Sequence, residues 1–231
     1  MRDYIIFKNI KSSSLDGLMI CELPPITKPE MRTSIIEIDG KDGDIIEELG
    51  YASYQKTLQI GLTRNFDINQ IIKYFSGSGD LVLSNEPDKV YKATIYSKVD
   101  YEKLLRFKTA EVEFHVQPYK YLLNEAPFEL NITNETELKV SNVGLEKSKP
   151  IITLYGEGEI QISINGSDIF SINIDDEYVV VNSIEEEAYK ENVLKNRNML
   201  GEFPILEIGI NTIKWTGNLK KIIIEPKSRW I

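Results

Sequence analysis

The sequence predicts a mainly β protein in two parts, the first β with one helix and the second purely β. Three observations carry this. Ile dominates the apolar residues, with many Val, Tyr and Phe, while Ala is scarce. These are the side chains that fit a pleated, half-buried surface. Apolar and polar residues alternate at period two in several segments, and only one segment shows helical spacing. The charge balance also shifts near residue 123: residues 1–123 hold 16 basic and 18 acidic side chains, residues 124–231 hold 11 and 18.

The elements follow in order. Tyr4–Phe7 opens as a strand. Gln59-Ile60-Gly61-Leu62-Thr63 alternates, as a strand through Lys56–Leu62 requires. Asp67 is placed to cap a helix in which Ile68, Ile71, Ile72 and Phe75 recur at helical spacing. Gly77-Ser78-Gly79-Asp80 reads as the helix C-cap and a turn. Glu111–Val116 alternates again, and Pro118–Glu125 reads as a strand exit and a linker, so domains are expected at 1–123 and 124–231. In the second part, Gln161–Asn165, Ser171–Ile174 and Thr212–Trp215 alternate, with strand spacing suited to a sandwich. Asn165-Gly166 between two alternating runs is the sharpest hairpin signal. Glu185–Asn198 is polar, anchored only by Ala188, Tyr189 and Val193, and reads as a loop or extended excursion with room for a helical turn.

Composition excludes several classes of function. The 231 residues carry 27 Lys and Arg against 36 Asp and Glu, a net charge of −9. That balance argues against a nucleic-acid-binding surface. One cysteine, Cys21, allows no intrachain disulfide and no thiolate zinc site. No apolar run approaches the ~18 residues of a membrane span. Met1-Arg2-Asp3-Tyr4 does not open a secretory leader. Without one, the triplets at Asn131, Asn134 and Asn165 carry no glycosylation reading.

Candidate chemistry is sparse. Asp39-Gly40-Lys41-Asp42-Gly43-Asp44 is dense in carboxylates, but Lys41 and Gly43 fall where a calcium loop needs ligands. A turn with glycines at positive φ is the better reading. Gly77–Asp80 follows a helix, whereas a phosphate loop precedes one. The acidic clusters Asp175-Asp176-Glu177 and Glu185-Glu186-Glu187 could supply paired glycosidase carboxylates, but adjacent acids in one turn splay into solvent. His115, the only histidine, lies on the polar phase of a strand with no Ser or Cys partner motif. Cys21 reads as a packed thiol at the end of an apolar strand. Trp215, Trp230 and the 12 tyrosines could form a sugar-stacking platform, though strand aromatics more often serve cores and interfaces. No catalytic residue, cofactor or metal site is expected.

The ordered motifs resemble the distal tail protein family of long-tailed siphophages and their prophages. The features run from Gly17-Leu18-Met19-Ile20, through Ile38-Asp39-Gly40-Lys41-Asp42-Gly43 and Gly77–Leu81, to Ser84–Asp88, Tyr91-Lys92-Ala93 and Gln117–Tyr121. In the second half come Ser141–Gly144, Ser148–Ile152, Gly156-Glu157-Gly158, Ile164-Asn165-Gly166, Gly201–Pro204 and Gly209–Ile213. The set covers nearly the whole chain. Lys41 departs from the family's Gly-Arg-Asp-Gly turn; it keeps the charge but lacks the planar fork.

The resemblance implies an N-terminal β-sandwich-like domain with one helix, forming a homo-hexameric ring, and a peripheral C-terminal galectin-like β-sandwich. It implies a non-enzymatic hub at the virion tail tip, made in the bacterial host cytoplasm, as one ring or two stacked rings. The implied partners are the tail tube protein, the tape-measure protein, the tail-associated tip protein and, in some phages, a receptor-binding protein. Lys41, Asp42 and Gly43 are then candidate subunit contacts; the alternative is that they only shape a hairpin. A second function class is a host-surface carbohydrate-binding module in the C-terminal half. Against it, galectins use a histidine in the sugar site, and His115 lies in the other half.

Overall fold

A computed structural model describes residues 3–231. Met1 and Arg2, on which part of the leader reading rests, lie outside the described residues. The chain forms two compact units: one ends at Leu123 and also takes in Ile231, and the other is Asn124–Trp230.

The first unit contains β1 (Ile5–Phe7), β2 (Ile10–Lys11), β3 (Leu18–Glu22), β4 (Met31–Glu37), β5 (Asp44–Tyr51), β6 (Tyr54–Leu62), α1 (Ile68–Tyr74), β7 (Gly77–Leu83), β8 (Glu86–Ile95), α2 (Tyr101–Phe107) and β9 (Thr109–Leu122). Its main sheet runs β2-β1-β7-β8-β9-β6-β3. Each neighbouring pair is antiparallel. Period-two alternation turns one face of this sheet inward. Phe7, Leu58, Ile60, Leu81, Val112 and Phe114 form the core, closed by Ile71 of α1 and Leu104 of α2. Phe7 and Phe114 meet edge to face with centroids 5.2 Å apart.

Helix α1 starts where the sequence places it. The Asp67 carboxylate accepts from Asn69 N at 2.9 Å and Gln70 N at 3.3 Å, satisfying two amides that a helix start leaves free. Two expectations need correction. Gly77 does leave the helix at φ 75°, but Gly77–Asp80 is not a turn. It pairs with Lys92–Ile95 as the first half of β7. Among its described residues the first unit also has two α-helices, not one. Helix α2 is seven residues long and buries only Leu104 completely, so its helical period is faint. Its local signal is the cap: the Asp100 carboxylate accepts from Lys103 N at 2.8 Å.

The second unit contains β10 (Phe128–Asn131), β11 (Glu137–Asn142), β12 (Ile151–Ile164), β13 (Ser167–Ile174), β14 (Tyr178–Asn182), β15 (Glu187–Lys190), β16 (Val193–Leu194), β17 (Met199–Gly201) and β18 (Gly209–Glu225). The order is β10-β18-β12-β14-β15-β16, with β11 also on β18, β13 also on β12, and β17 on β13. The long strands β12 and β18 pair along their lengths through register shifts at Tyr155/Gly156 and Glu157/Gln161. One end of β12 pairs with β14 and the other with β13. Bulges of this kind let one strand serve two layers of a sandwich. Gly217 sits at φ 98°, where a methyl group would meet the Glu159 carbonyl oxygen at 2.3 Å. Ile152, Leu154, Ile160, Ile162, Ile213 and Ile222 form the second core.

Asn165-Gly166 makes the expected hairpin, with φ of 53° and 87° and Ile164 opposite Ser167. The Glu185–Asn198 segment is more ordered than a loop. Its residues form β15 and β16, paired through Tyr189–Leu194 and Lys190–Val193, then a 3₁₀ turn at Asn196–Asn198. Backbone pairing and one side chain hold it: Asn196 Oδ1 accepts from the amide of the buried Ala188 at 2.6 Å. Neither leaves an apolar pattern to read.

Candidate assembly interface

Strands β4 and β5 stand apart from the rest of the first unit. Among the described residues they pair only with each other. Ile35 lies opposite Ile46, and Ile36 opposite Ile45. Successive side chains in a strand point to opposite faces, so one isoleucine pair covers each face. Ile35, Ile36, Ile38, Ile45, Ile46 and Leu49 are 44–64% exposed. A two-stranded ribbon is marginal in water by itself. Fully burying one such side chain is worth about 1.5–3 kcal/mol, so the ribbon has a strong drive to be covered on both faces.

The tip is the glycine-rich turn. Gly40 and Gly43 take φ of 79° and 81°, the left-handed values that glycine reaches without a Cβ penalty. Lys41 N donates to the Ile38 carbonyl at 3.1 Å. Lys41, Asp42 and Gly43 are therefore brought together at the exposed end of the ribbon. No cluster of three or more His, Cys, Asp or Glu side chains suited to a metal ion occurs among the described residues.

The base of the ribbon is held firmly. Ala52 N donates to the Glu30 carbonyl at 2.8 Å, and Tyr51 packs edge to face on Tyr119 at 6.1 Å. Just before the ribbon, the Pro24 carbonyl accepts from Asn85 Nδ2 at 3.1 Å, and the Pro25 carbonyl accepts from Lys56 Nζ at 3.0 Å. Lys56 is buried and belongs to a charged cluster. Glu86 accepts from Lys120 Nζ at 2.5 Å and from the Tyr91 hydroxyl. Burial lowers the Lys56 pKa, the Glu86 charge opposes that shift, and Lys120 adds to it. Burial, assisted by Glu86, pushes Tyr54 up to about 12. The cluster lies between β6, β8 and β9 and anchors the chain where it leaves the main sheet.

Other sequence candidates are less promising. The acidic clusters are surface ion pairs. Asp175 bonds Lys195 at 2.9 Å, Asp176 bonds Lys190 at 2.8 Å, and Glu186 bonds Lys149 at 2.9 Å. The Lys195 bond lowers the Asp175 pKa, opposite to what a general acid needs. His115 Nδ1 lies 3.2 Å from the Tyr96 hydroxyl. Cys21 is exposed, not packed. Leu18 and Ile20 are buried and Met19 is exposed, so ordinary alternation puts Cys21 on the outer face of β3, with its thiol over Gly61. The second unit has a cleft of about 320 Å³ lined by Lys149, Ser183, Glu186, Glu202 and Phe203.

Sequence reading named the tip of the ribbon but missed its two apolar faces. A signal was present. Ile35-Ile36 and Ile45-Ile46 are doublets, which in a strand put an apolar side chain on each face.

No family model matches the chain, and no curated protein matches it. Solved structures do match. Over 97% of this chain and 99% of the other, it superposes on the structure described as "SPP1 Dit (gp 19.1) Protein, a Paradigm of Hub Adsorption Apparatus in Gram-positive Infecting Phages", with a TM-score of 0.71 and 14% identity. The fold is that of SPP1 Dit. Chains of the phage p2 baseplate in its activated conformation also match. The structure with Sr gives a TM-score of 0.55 at 10% identity, covering 97% of this chain and 98% of the other. The structure with Ca gives 0.51 at 10% identity, with 97% of each chain covered. At such identities the likeness is one of fold. It extends through both units of the Dit architecture, and the mainly β, sandwich-like organisation expected from the family resemblance is found.

Proposed function

We propose that this chain is a structural, non-enzymatic component of a phage tail. Copies of it assemble into a hub ring of six subunits that joins the tail tube to the adsorption apparatus at the tip. The observation that carries this reading is the β4–β5 ribbon, an arm with isoleucines exposed on both faces. The whole-length likeness to a hub protein supports it. The arm is the self-association element, and Lys41, Asp42 and Gly43 at its tip make subunit contacts. The tube protein, the tape-measure protein, the tip protein and a receptor-binding protein are the neighbours this role requires.

Light-scattering mass across a range of concentrations tests the ring. The monomer is 26.5 kDa, so one ring of six is 159 kDa. That mass, or twice it, is expected. A strict monomer at every concentration would overturn self-assembly by the arm.

A second reading, saccharide binding by the second unit, is favoured by its cleft. Ser183 lines it, and the buried Ser183 hydroxyl has no hydrogen-bond partner among the described residues. Phe203 and Glu202 line the cleft beside it. A glycan array probed with the full chain tests this, with specific retention expected and uniform blankness counting against it.

A further inference from the structure

The arm needs a receiving surface, and its composition says what kind. Residues 31–51 carry six carboxylates (Glu37, Asp39, Asp42, Asp44, Glu47, Glu48) against two cations, Arg32 and Lys41. None of the six makes an ion pair among the described residues. The receiving face must therefore be apolar enough to cover isoleucines and cationic enough to meet unpaired acids.

Outside the ribbon, both units expose apolar side chains. In the second unit, Leu145, Val193, Leu194, Leu200, Ile208 and Ile210 are well exposed. That half, however, holds 18 acidic and 11 basic residues, so it repels an acidic arm. The run Tyr96–Lys108, which contains α2, has the opposite character. Tyr96, Leu105 and Phe107 are 41–68% exposed. Lys98, Lys103, Arg106 and Lys108 accompany them, against Asp100 and Glu102. None of the four cations makes an ion pair among the described residues. The Asp100 carboxylate is already occupied in capping the helix.

We propose that the β4–β5 arm of one copy seats on the α2 face of a second copy, with Phe107 covering the arm face that carries Ile35 and Ile46, and with Lys103 and Arg106, on the same side of α2 as Phe107, meeting Asp44 and Glu48 of that arm face. This rests on the reading of the arm as a self-association element. A strand of seven or eight residues reaches about 25 Å, enough to lie across the ~10 Å length of α2 on a neighbour. Arm and receiving face are different surfaces of one chain. The contact is therefore head-to-tail: each copy gives an arm and receives one, and the series closes as a ring or runs on as a filament.

Charge reversal tests it on the full chain, read by light-scattering mass, with circular dichroism melts to confirm folding. One variant carries Lys103→Glu and Arg106→Glu, the other Asp44→Lys and Glu48→Lys. A control carries Lys214→Glu and Lys220→Glu in the second unit. Each reversal by itself is expected to raise the concentration needed for assembly at least tenfold, while the control assembles as wild type. Mixed one to one, the two reversed proteins regain assembly, because each arm then finds a face of opposite charge. If the arm variant loses assembly and the α2 variant does not, or the mixture stays apart, the α2 face is not the receiver and the arm reading stands. If the arm variant assembles like wild type, the arm reading falls, and the pairing falls with it.

Discussion

The β4–β5 ribbon and the β12–β18 pair use the same residues to opposite ends. Both are antiparallel, both are rich in isoleucine, and both place isoleucines opposite each other across the ladder. In β12–β18 those side chains, Ile152 with Ile224 and Ile164 with Ile213, are almost fully buried. In the ribbon they are about half exposed. The long pair has further strands on its edges and a second layer against its inner face. Beyond its base, the ribbon has no further strand beside it among the described residues. An apolar strand pattern therefore says that a surface will be covered, and leaves open whether the cover comes from the same chain or from another.

The strongest way to break this comparison is to truncate one isoleucine in each place. Ile162→Ala removes a fully buried side chain and should cost about 2–5 kcal/mol in urea unfolding. Ile46→Ala, which removes a side chain 64% exposed in the single chain, should change monomer stability by less than about 0.5 kcal/mol. It should instead weaken assembly, seen as a shift of the mass transition to higher concentration. Equal losses of stability at the two sites would mean that the ribbon is covered within its own chain.

A glycine pair sharpens the same contrast. Gly217, at φ 98°, faces the Glu159 carbonyl oxygen across the β12–β18 bulge, with no room for a methyl group. Gly217→Ala should cost about 3 kcal/mol, the upper range for a strained backbone position. Gly43 has a similar φ of 81°, but nothing lies within 4 Å of the added carbon. Gly43→Ala should then cost only about 1 kcal/mol, the left-handed penalty by itself, in a thermal melt of the monomer.

How much of this was legible in the sequence depends on where the forces act. Alternation marked β6, β9, β12, β13 and β18 because each buries one face within its own unit, which writes period two into the chain. Asn165-Gly166 was legible because a two-residue turn needs left-handed φ at both positions. Helix α2 left a faint trace, since one buried leucine and a cap are too little to set a period. For the β15–β16 segment the extended reading with a helical turn matches what forms, but its strand pairing was not legible, since that order comes from backbone pairing and Asn196. Cys21 was misplaced because its apolar neighbours were read without their phase: Leu18 and Ile20 are the buried positions of β3, and Cys21 falls on the opposite face. The ribbon's tip was legible from its glycines. Its faces were not recognised, because doublets of isoleucine also fit a strand buried on both sides, and which of the two holds depends on neighbours beyond the single chain.

The smallest effect separates the two kinds of turn. The ribbon turn has one internal backbone bond, from Lys41 N to the Ile38 carbonyl. The turn between β10 and β11 is closed by a charge. The Glu135 carboxylate accepts from Thr133 N at 2.7 Å and from Asn134 N at 3.0 Å, with the Thr133 hydroxyl at 3.1 Å. These bonds, the Thr133 amide first among them, hold the Glu135 pKa down at about 2. A carboxylate whose folded pKa is depressed contributes stability that is present above the unfolded value of about 4.3 and is lost as pH falls toward the folded value. The wild type should therefore lose its small advantage over Glu135→Gln between about pH 5 and pH 2, read as converging urea midpoints. A carbon-detected NMR titration should place the Glu135 midpoint near 2. A midpoint in the ordinary carboxylate range would mean that the turn is as loosely held as the tip of the ribbon, and the contrast between the two would vanish.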